Sequence, residues 1–195
     1  MLKKQNDVIH ALSDRQMIQQ LYLTQLILAI AGLAASFIFL GNMFAPAETI
    51  GFNIPDILYG AGLAAGVIGA NWVMVKTAPA EWYDDGGINE KLFRSCSIPH
   101  IALMAACIAM TEEWLFRGVL QTEFGLAAAS IIFSVLHIRY LSKILLFSMV
   151  TAVSLLIGIL YDLTGNLITT VIAHFLIDFI FGVQIRKKYL NRGES

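Results

Sequence analysis

Six ionisable side chains lie inside otherwise apolar stretches of this 195-residue sequence, and their types are suited to acid–base chemistry. They fall into three groups along the chain. Ionisable groups within long apolar segments are costly to bury, so each of them needs a structural or a functional reason. The six side chains are Glu112, Glu113, Arg117, His137, His174 and Asp178.

The first group contains two adjacent carboxylates and one arginine. On a helix Glu113 and Arg117 are four residues apart and can form an ion pair on one face. Glu112 points about 100° away from Glu113, so its carboxylate has no partner within the motif. The pair alone is typical of a structural ion pair, whereas the additional carboxylate favours a catalytic role. Both interpretations stay open at this point.

The two histidines form the other groups. His137 ends an apolar run, where a lone histidine is more often an interfacial or hydrogen-bonded residue than a catalyst. His174 and Asp178 are four residues apart in a second apolar run, so they share a helix face. The structural alternative for this pair is a buried histidine–aspartate hydrogen bond that joins helices.

Two chemistries fit the whole set. In one, a glutamate takes a proton from water, a histidine orients that water, and the histidine–aspartate pair stabilises the developing oxyanion. In the other, two histidines and a glutamate bind zinc. The H-E-x-x-H motif is absent, and this favours the version without zinc. No G-x-S-x-G occurs either, so we interpret Ser130, Ser134 and Ser154 as packing residues.

The composition predicts the elements that must position these groups. The chain is 57% hydrophobic and 14% charged, whereas soluble domains are about 25% charged. Lipid is therefore the expected solvent, and the continuous apolar runs predict an all-α, polytopic membrane helix bundle. The net charge of −1 argues against nucleic acid as a partner. Cys96 and Cys107 are expected to be free thiols.

We predict about six transmembrane helices. A cytoplasmic segment (1–20) precedes a single transmembrane domain (21–185), and a basic cytoplasmic tail (186–195) follows. The A-P-A at 45–47 resembles a signal-peptide cleavage site, but the preceding run is too long for a signal peptide and is expected to be a retained span. Gly62-x-x-x-Gly66 predicts close helix packing. The predicted spans are 21–44, 54–75, 98–117, 124–140, 144–161 and 166–185.

The basic residues orient this topology. All but one of the 13 lysines and arginines fall on one side of the six-span arrangement, and the exception is Arg117. Positive charge favours the cytoplasmic side, so both termini are expected in the cytoplasm, with the protein in the plasma membrane. The residues on that side are Lys3, Lys4, Arg15, Lys76, Lys91, Arg94, Arg139, Lys143, Arg186, Lys187, Lys188 and Arg192.

The three groups together resemble the motifs of a known family. Glu112-Glu113-x-x-x-Arg117, Phe133-x-x-x-His137 and His174-x-x-x-Asp178 are similar to those of the type II CAAX prenyl endopeptidases, within the CPBP (ABI) grouping. Order and approximate spacing agree over roughly residues 98–182.

The resemblance implies an intramembrane endopeptidase acting on a membrane-associated, CAAX-type prenylated protein or peptide. Glu112 would be the general base and His137 would help to hold the water. Glu113 and Arg117 would form a supporting pair. His174 and Asp178 would bind the oxyanion, although the family commonly has asparagine at the last position.

Three alternatives remain at this stage. A zinc-dependent version of the protease would use the same histidines. A non-catalytic binding, immunity or regulatory protein could share the fold. A small transporter would also use buried glutamate and histidine, but no inverted repeat is visible.

Overall fold

A computed structural model describes residues 12–137, 140 and 143–193, so the predictions for Lys3, Lys4 and Arg139 lie outside the described residues. The described residues contain no β-strand, which confirms the all-α prediction. A short 3-10 helix, Ala45–Thr49, follows α1, and a π-helical stretch, Trp114–Gln121, joins α5 to α6. The α-helices are α1 (Asp14–Leu40), α2 (Ile54–Thr77), α3 (Ala80–Tyr83), α4 (Ile88–Phe93), α5 (Ile98–Glu113), α6 (Thr122–Leu136), α7 (Ile144–Thr164) and α8 (Leu167–Gly193).

Five helical stretches in the described part of the chain are long and apolar enough to cross a membrane. Four of them are α1, α2, α7 and α8, and the fifth is the continuous stretch Ile98–Leu136 of 39 residues. A straight helix of that length would measure about 58 Å, roughly twice the hydrocarbon thickness. The predicted third and fourth spans both fall within this single stretch.

The chain reverses inside this stretch at Gly125. Its φ of 81° and ψ of 167° are available to glycine but strained for other residues. The rings of Phe116 and Phe133 are 4.9 Å apart, whereas a straight helix would separate them by about 25 Å. The arm that returns to Leu136 is only about 16 Å long. The prediction of about six spans is thus met by five long helices and one short arm.

Two of the helices extend beyond their predicted apolar spans. α1 begins at Asp14 because the Ser13 hydroxyl accepts a hydrogen bond from the Gln16 N–H, and the Gln16 side chain accepts one from the Ser13 N–H. α8 continues through the predicted basic tail to Gly193. Hydropathy therefore located the apolar part of these helices, while capping and polar turns set their ends.

Close packing between α2 and α8 depends on a glycine that differs from those we predicted. A Cβ at Gly60 would lie 2.5 Å from the carbonyl oxygen of Thr169. A Cβ at Gly62 or Gly66 would meet nothing within 4 Å. The G-x-x-x-G pair therefore makes no close contact within the described chain, and the contact occurs two residues earlier.

Asn166 fixes the start of α8. Its Nδ2 donates to the Gly51 carbonyl at 2.6 Å and to Asp56 Oδ2 at 2.7 Å. Its Oδ1 accepts from the N–H groups of Gly51 and Ile168, each at 3.0 Å. The asparagine thus caps α8 and ties it to the segment that leads into α2. His174 follows two turns later on the same helix.

Candidate active site

The adjacent glutamates lie at the end of α5, where the helix widens into the π-helical stretch that carries Arg117. Stretches of π-helix are uncommon and often occur at functional sites. At this turn the two adjacent glutamates have different surroundings. Glu113 is buried against Arg117, whereas the Glu112 side chain retains 12% exposure.

Arg117 is completely buried and connects three helical elements. Its Nε lies 3.3 Å from Glu113 Oε2, so the predicted ion pair is present. Its Nη2 donates to the carbonyl oxygen and to the hydroxyl of Ser154 on α7, both at 3.1 Å. The guanidinium also faces the ring of Phe133, 5.6 Å away. Our interpretation of Ser154 as a packing residue was incomplete, because it also accepts these hydrogen bonds.

His174 joins α8 to the two glutamates. Its Nδ1 lies 2.8 Å from Glu113 Oε1, and because a carboxylate can only accept, Nδ1 carries the proton of this hydrogen bond. Its Nε2 faces Asp178 Oδ2 at 3.6 Å and Glu112 Oε2 at 4.0 Å. The closest partner of His174 is thus on a different helix, and its contact with Asp178 is longer than a hydrogen bond.

Glu112 is the least compensated carboxylate of the described site. Its Oε1 lies 3.5 Å from Gln25 Nε2, at the long limit of a hydrogen bond. Its Oε2 lies 4.0 Å from Nε2 of the His174 imidazole. Asp178, with its side chain 30% exposed, marks the open side of the cluster. A carboxylate in this position can accept a proton from a nearby water.

His137 follows the short returning arm and is half-buried. Its Nδ1 lies 2.8 Å from the Phe133 carbonyl oxygen, so Nδ1 donates, and in the neutral ring Nε2 carries the lone pair. The Phe133 ring is 4.5 Å from the His137 ring and 6.3 Å from the His174 ring. The reversal at Gly125 therefore brings both predicted histidines close to one phenylalanine ring.

Sequence reasoning missed the polar residues of the first span. Gln25 lies 5% exposed between Thr111 and Glu112, although we gave the 21–44 run no role beyond crossing the membrane. A lone amide in an apolar run was the available signal, because buried polar groups need partners. The partner of Arg117 on α7 carried no such signal, since a serine in a membrane helix is common.

Among the residues that the structure describes, no group of three histidine, cysteine, aspartate or glutamate side chains is arranged to hold a metal ion. Glu112, His174 and Asp178 are close to one another but are spaced as partners in an ion-pair cluster. The expectation that the chain works without zinc stays a prediction.

Comparison with known proteins gives the family. A family model described as type II CAAX prenyl endopeptidase Rce1-like matches residues 94–180, which include all six predicted site residues. The uncharacterized protein YpbD of Bacillus subtilis (strain 168) is 47% identical over 173 residues, covering 87% of this chain and 90% of its own. No solved structure matches. The chain is an integral membrane protein that belongs to the Rce1-like family of type II CAAX prenyl endopeptidases.

Proposed function

We propose that this protein is an intramembrane endopeptidase that hydrolyses a peptide bond of a membrane-associated, CAAX-type prenylated protein or peptide. One observation carries the proposal. Of two adjacent glutamates, Glu113 is neutralised by a buried arginine, while Glu112 faces an imidazole on the open side of the cluster and has no arginine or lysine partner in the part of the chain that the structure describes. Membership of a protease family supports the same conclusion.

The proposed reaction uses water as the nucleophile. Glu112 takes a proton from this water as its oxygen attacks the scissile carbonyl carbon. His137, whose Nδ1 is occupied by a backbone carbonyl, accepts a hydrogen bond from the same water through Nε2. The proton held by Glu112 then passes to the amine nitrogen as the C–N bond breaks. The second proton of the water, carried by the new carboxyl group, then moves to the amine, so the products are a carboxylate and an ammonium group, and atoms and charge balance.

The oxyanion is assigned to His174. With Nδ1–H held by Glu113, the ring can donate from Nε2 only as an imidazolium. Carboxylates on both sides of the ring compensate such a positive charge, and Asp178 contributes one of them. In this proposal Asp178 supports the charge and orientation of His174, and does not itself face the oxyanion as an ionised group.

Substrate is proposed to reach the site from the cytoplasmic side. Asp178 lies two turns, about 12 Å, before Arg186 on α8. Arg186 begins the basic end of α8, and our topology places that end in the cytoplasm. Asp178 would then lie in the cytoplasmic half of the bilayer and His174, about 18 Å before Arg186, near its middle, within reach of a lipid-anchored chain. Both termini in the cytoplasm and location in the plasma membrane belong to the same proposal.

The test is cleavage by purified protein in vesicles after treatment with a chelator. The substrates are a fluorogenic prenylated peptide and a panel of membrane peptides. We expect wild type to cleave and Glu112→Gln and His137→Ala to lose cleavage, while the matched control Glu123→Gln, at an exposed position, stays active. Full activity of Glu112→Gln would refute the mechanism.

Two further outcomes separate the alternatives. Cleavage that returns only when zinc is added would move His137, His174 and a glutamate into metal-binding roles. If a folded wild type leaves every substrate intact, the non-catalytic binding or regulatory alternative becomes the better account.

A further inference from the structure

The first helix brings a buried amide to the reactive glutamate. Gln25 is 5% exposed, while its neighbours Leu26 and Ile27 are each 57% exposed. Gly32, two turns further along α1, makes this approach feasible, since a Cβ there would already lie 3.2 Å from Trp114 Cδ1. A polar side chain that enters the protein interior from a lipid-facing helix must find hydrogen-bond partners there.

The amide of Gln25 lies between Thr111 and Glu112. The Thr111 hydroxyl contacts Gln25 Oε1, and Gln25 Nε2 lies 3.5 Å from Glu112 Oε1. Catalytic hydrogen bonds are often long before substrate binds and shorten in the complex. Because an amide has a donor end and an acceptor end, it can pair either with a carboxylate or with a protonated carboxyl.

The Thr111 hydroxyl can hydrogen-bond to either end of the Gln25 amide, and so allows the amide to present either end to Glu112. Its single hydroxyl proton has three acceptors within reach, which are Gln25 Oε1, the Cys107 carbonyl at 2.9 Å and the Ile108 carbonyl at 3.2 Å. When Thr111 donates to Gln25, the amide nitrogen faces Glu112. When it donates to the Cys107 carbonyl, it can accept from an amide turned over, whose oxygen then faces Glu112.

We propose that Gln25, held by Thr111, is a positioning residue that hydrogen-bonds to Glu112 both before and after this glutamate takes the proton of water. The inference rests on the proposed function, in which the proton moves from water to Glu112 and then to the leaving amine nitrogen. When the Gln25 amide nitrogen faces Glu112, it donates to the ionised carboxylate. When the amide oxygen faces Glu112, it accepts from the protonated carboxyl group. In both, Glu112 Oε2 stays free of the amide and faces the substrate side.

The kinetic test compares Gln25→Leu with Gln20→Leu, the same change at an exposed position of α1. We expect kcat for peptide cleavage to fall about 10–100-fold in Gln25→Leu, the loss expected when one hydrogen bond to a charged group is removed. KM should stay within about twofold, because the amide touches no substrate. Gln20→Leu should match wild type. The double variant Thr111→Val with Gln25→Leu should have the same kcat as Gln25→Leu alone, because Thr111 acts through Gln25.

A pH profile separates this role from simple packing. A protonated glutamic acid has the shape of glutamine and retains one donor and one acceptor, whereas its ionised form has no donor. Gln25→Glu should therefore cleave at low pH, where the new side chain is protonated. As the pH rises and this side chain ionises, the variant should lose activity at a lower pH than wild type does. Gln25→Met, which fills similar space but has no donor at any pH, serves as the control and should not regain activity at low pH. The charged and titratable groups around the Gln25 amide are Glu112 and Glu113 on α5, Arg117 on the π-helical stretch, and His174 and Asp178 on α8.

An infrared measurement tests the contact independently of activity. The carboxyl C=O stretch of Glu112, recorded at low pH and assigned by its loss in Glu112→Gln, should shift in Gln25→Leu and not in Gln20→Leu. Wild-type kcat and an unshifted band in Gln25→Leu, with cleavage still dependent on Glu112, would overturn this inference and leave the proposed function standing. A shifted band without cleavage by any folded variant would support the contact and overturn the proposed function.

Discussion

Replacing Arg117 by methionine removes a buried cation and leaves the neighbouring glutamate in place. Methionine has a similar length but offers no charge and no donor. The change deprives Glu113 of the guanidinium that lies 3.3 Å from its Oε2. It also removes two hydrogen bonds of 3.1 Å to Ser154 on α7, while the Gln121 side chain of the π-helical stretch still donates to the Gly158 carbonyl of that helix at 2.8 Å.

The expected magnitude follows from complete burial of both partners. Removing one member of a buried ion pair costs about 3–5 kcal/mol, because the other charge is left uncompensated. For a chain of this size each kcal/mol lowers the unfolding midpoint by about 2–4 °C. We therefore expect Arg117→Met to lower the midpoint by about 6–20 °C. The double variant with Glu113→Gln should recover a large part of this loss, since it leaves no unpaired charge.

A thiol-reactive fluorescent dye provides the assay in detergent. Cys96 is 1% exposed, and burial raises the pKa of its thiol, so it reacts slowly with the dye until the chain unfolds. Arg15→Met, at an exposed position of α1, serves as the matched control and should unfold as wild type does. A midpoint within about 2 °C of wild type for Arg117→Met, or losses that simply add in the double variant, would refute this account of the pair.

Three further predictions address packing, the cap of α8 and the oxyanion site. Gly60→Ala should destabilise the protein by about 1–3 kcal/mol, because its Cβ would meet the Thr169 carbonyl at 2.5 Å. Gly62→Ala should be neutral or slightly stabilising, and the thermal unfolding midpoints of the two variants test this difference. Asn166→Ala should cost about 1–2 kcal/mol in the same assay, and an unchanged midpoint would contradict its role as a cap. Asp178→Asn should lose most cleavage in the peptide assay, because its carboxylate supports the positive charge and the orientation of His174, whereas full activity would indicate that a donor beside the oxyanion is what this position supplies.

Contacts within one helix could be predicted from the sequence. The spacing of Glu113 and Arg117 placed them on one face, and the structure has them in contact. Spacing also set Glu112 apart from that pair. Such contacts are accessible because helical geometry alone fixes the relative direction of side chains four residues apart. The all-α membrane architecture followed in the same way from the length and continuity of the apolar runs.

Contacts between helices could not be predicted in this way. The closest partner of His174 is Glu113 on α5, although spacing had pointed to Asp178. The approach of Gln25 to Glu112 depends on the packing of α1 against α5. Spacing along one helix contains no information about the rotation of a second helix against it.

The short fourth span illustrates a further limit. Hydropathy treated 98–117 and 124–140 as two crossings, but the helix continues to the reversal at Gly125 and returns for only a short distance. A glycine is visible in the sequence, but its positive φ is seen only in the folded chain, together with the contact of Phe116 with Phe133. That contact is tertiary, so the position of the turn was not available from composition.

Mass spectrometry of cleavage products in water labelled with heavy oxygen tests directly whether Glu112 activates water for peptide hydrolysis. Wild type and Glu112→Gln would be compared in vesicles, with a prenylated peptide as substrate and a chelator present. We expect wild type to release a product whose new carboxylate contains one labelled oxygen, and Glu112→Gln to release none. Labelled product from both proteins at equal rates would contradict Glu112 as the group that activates water.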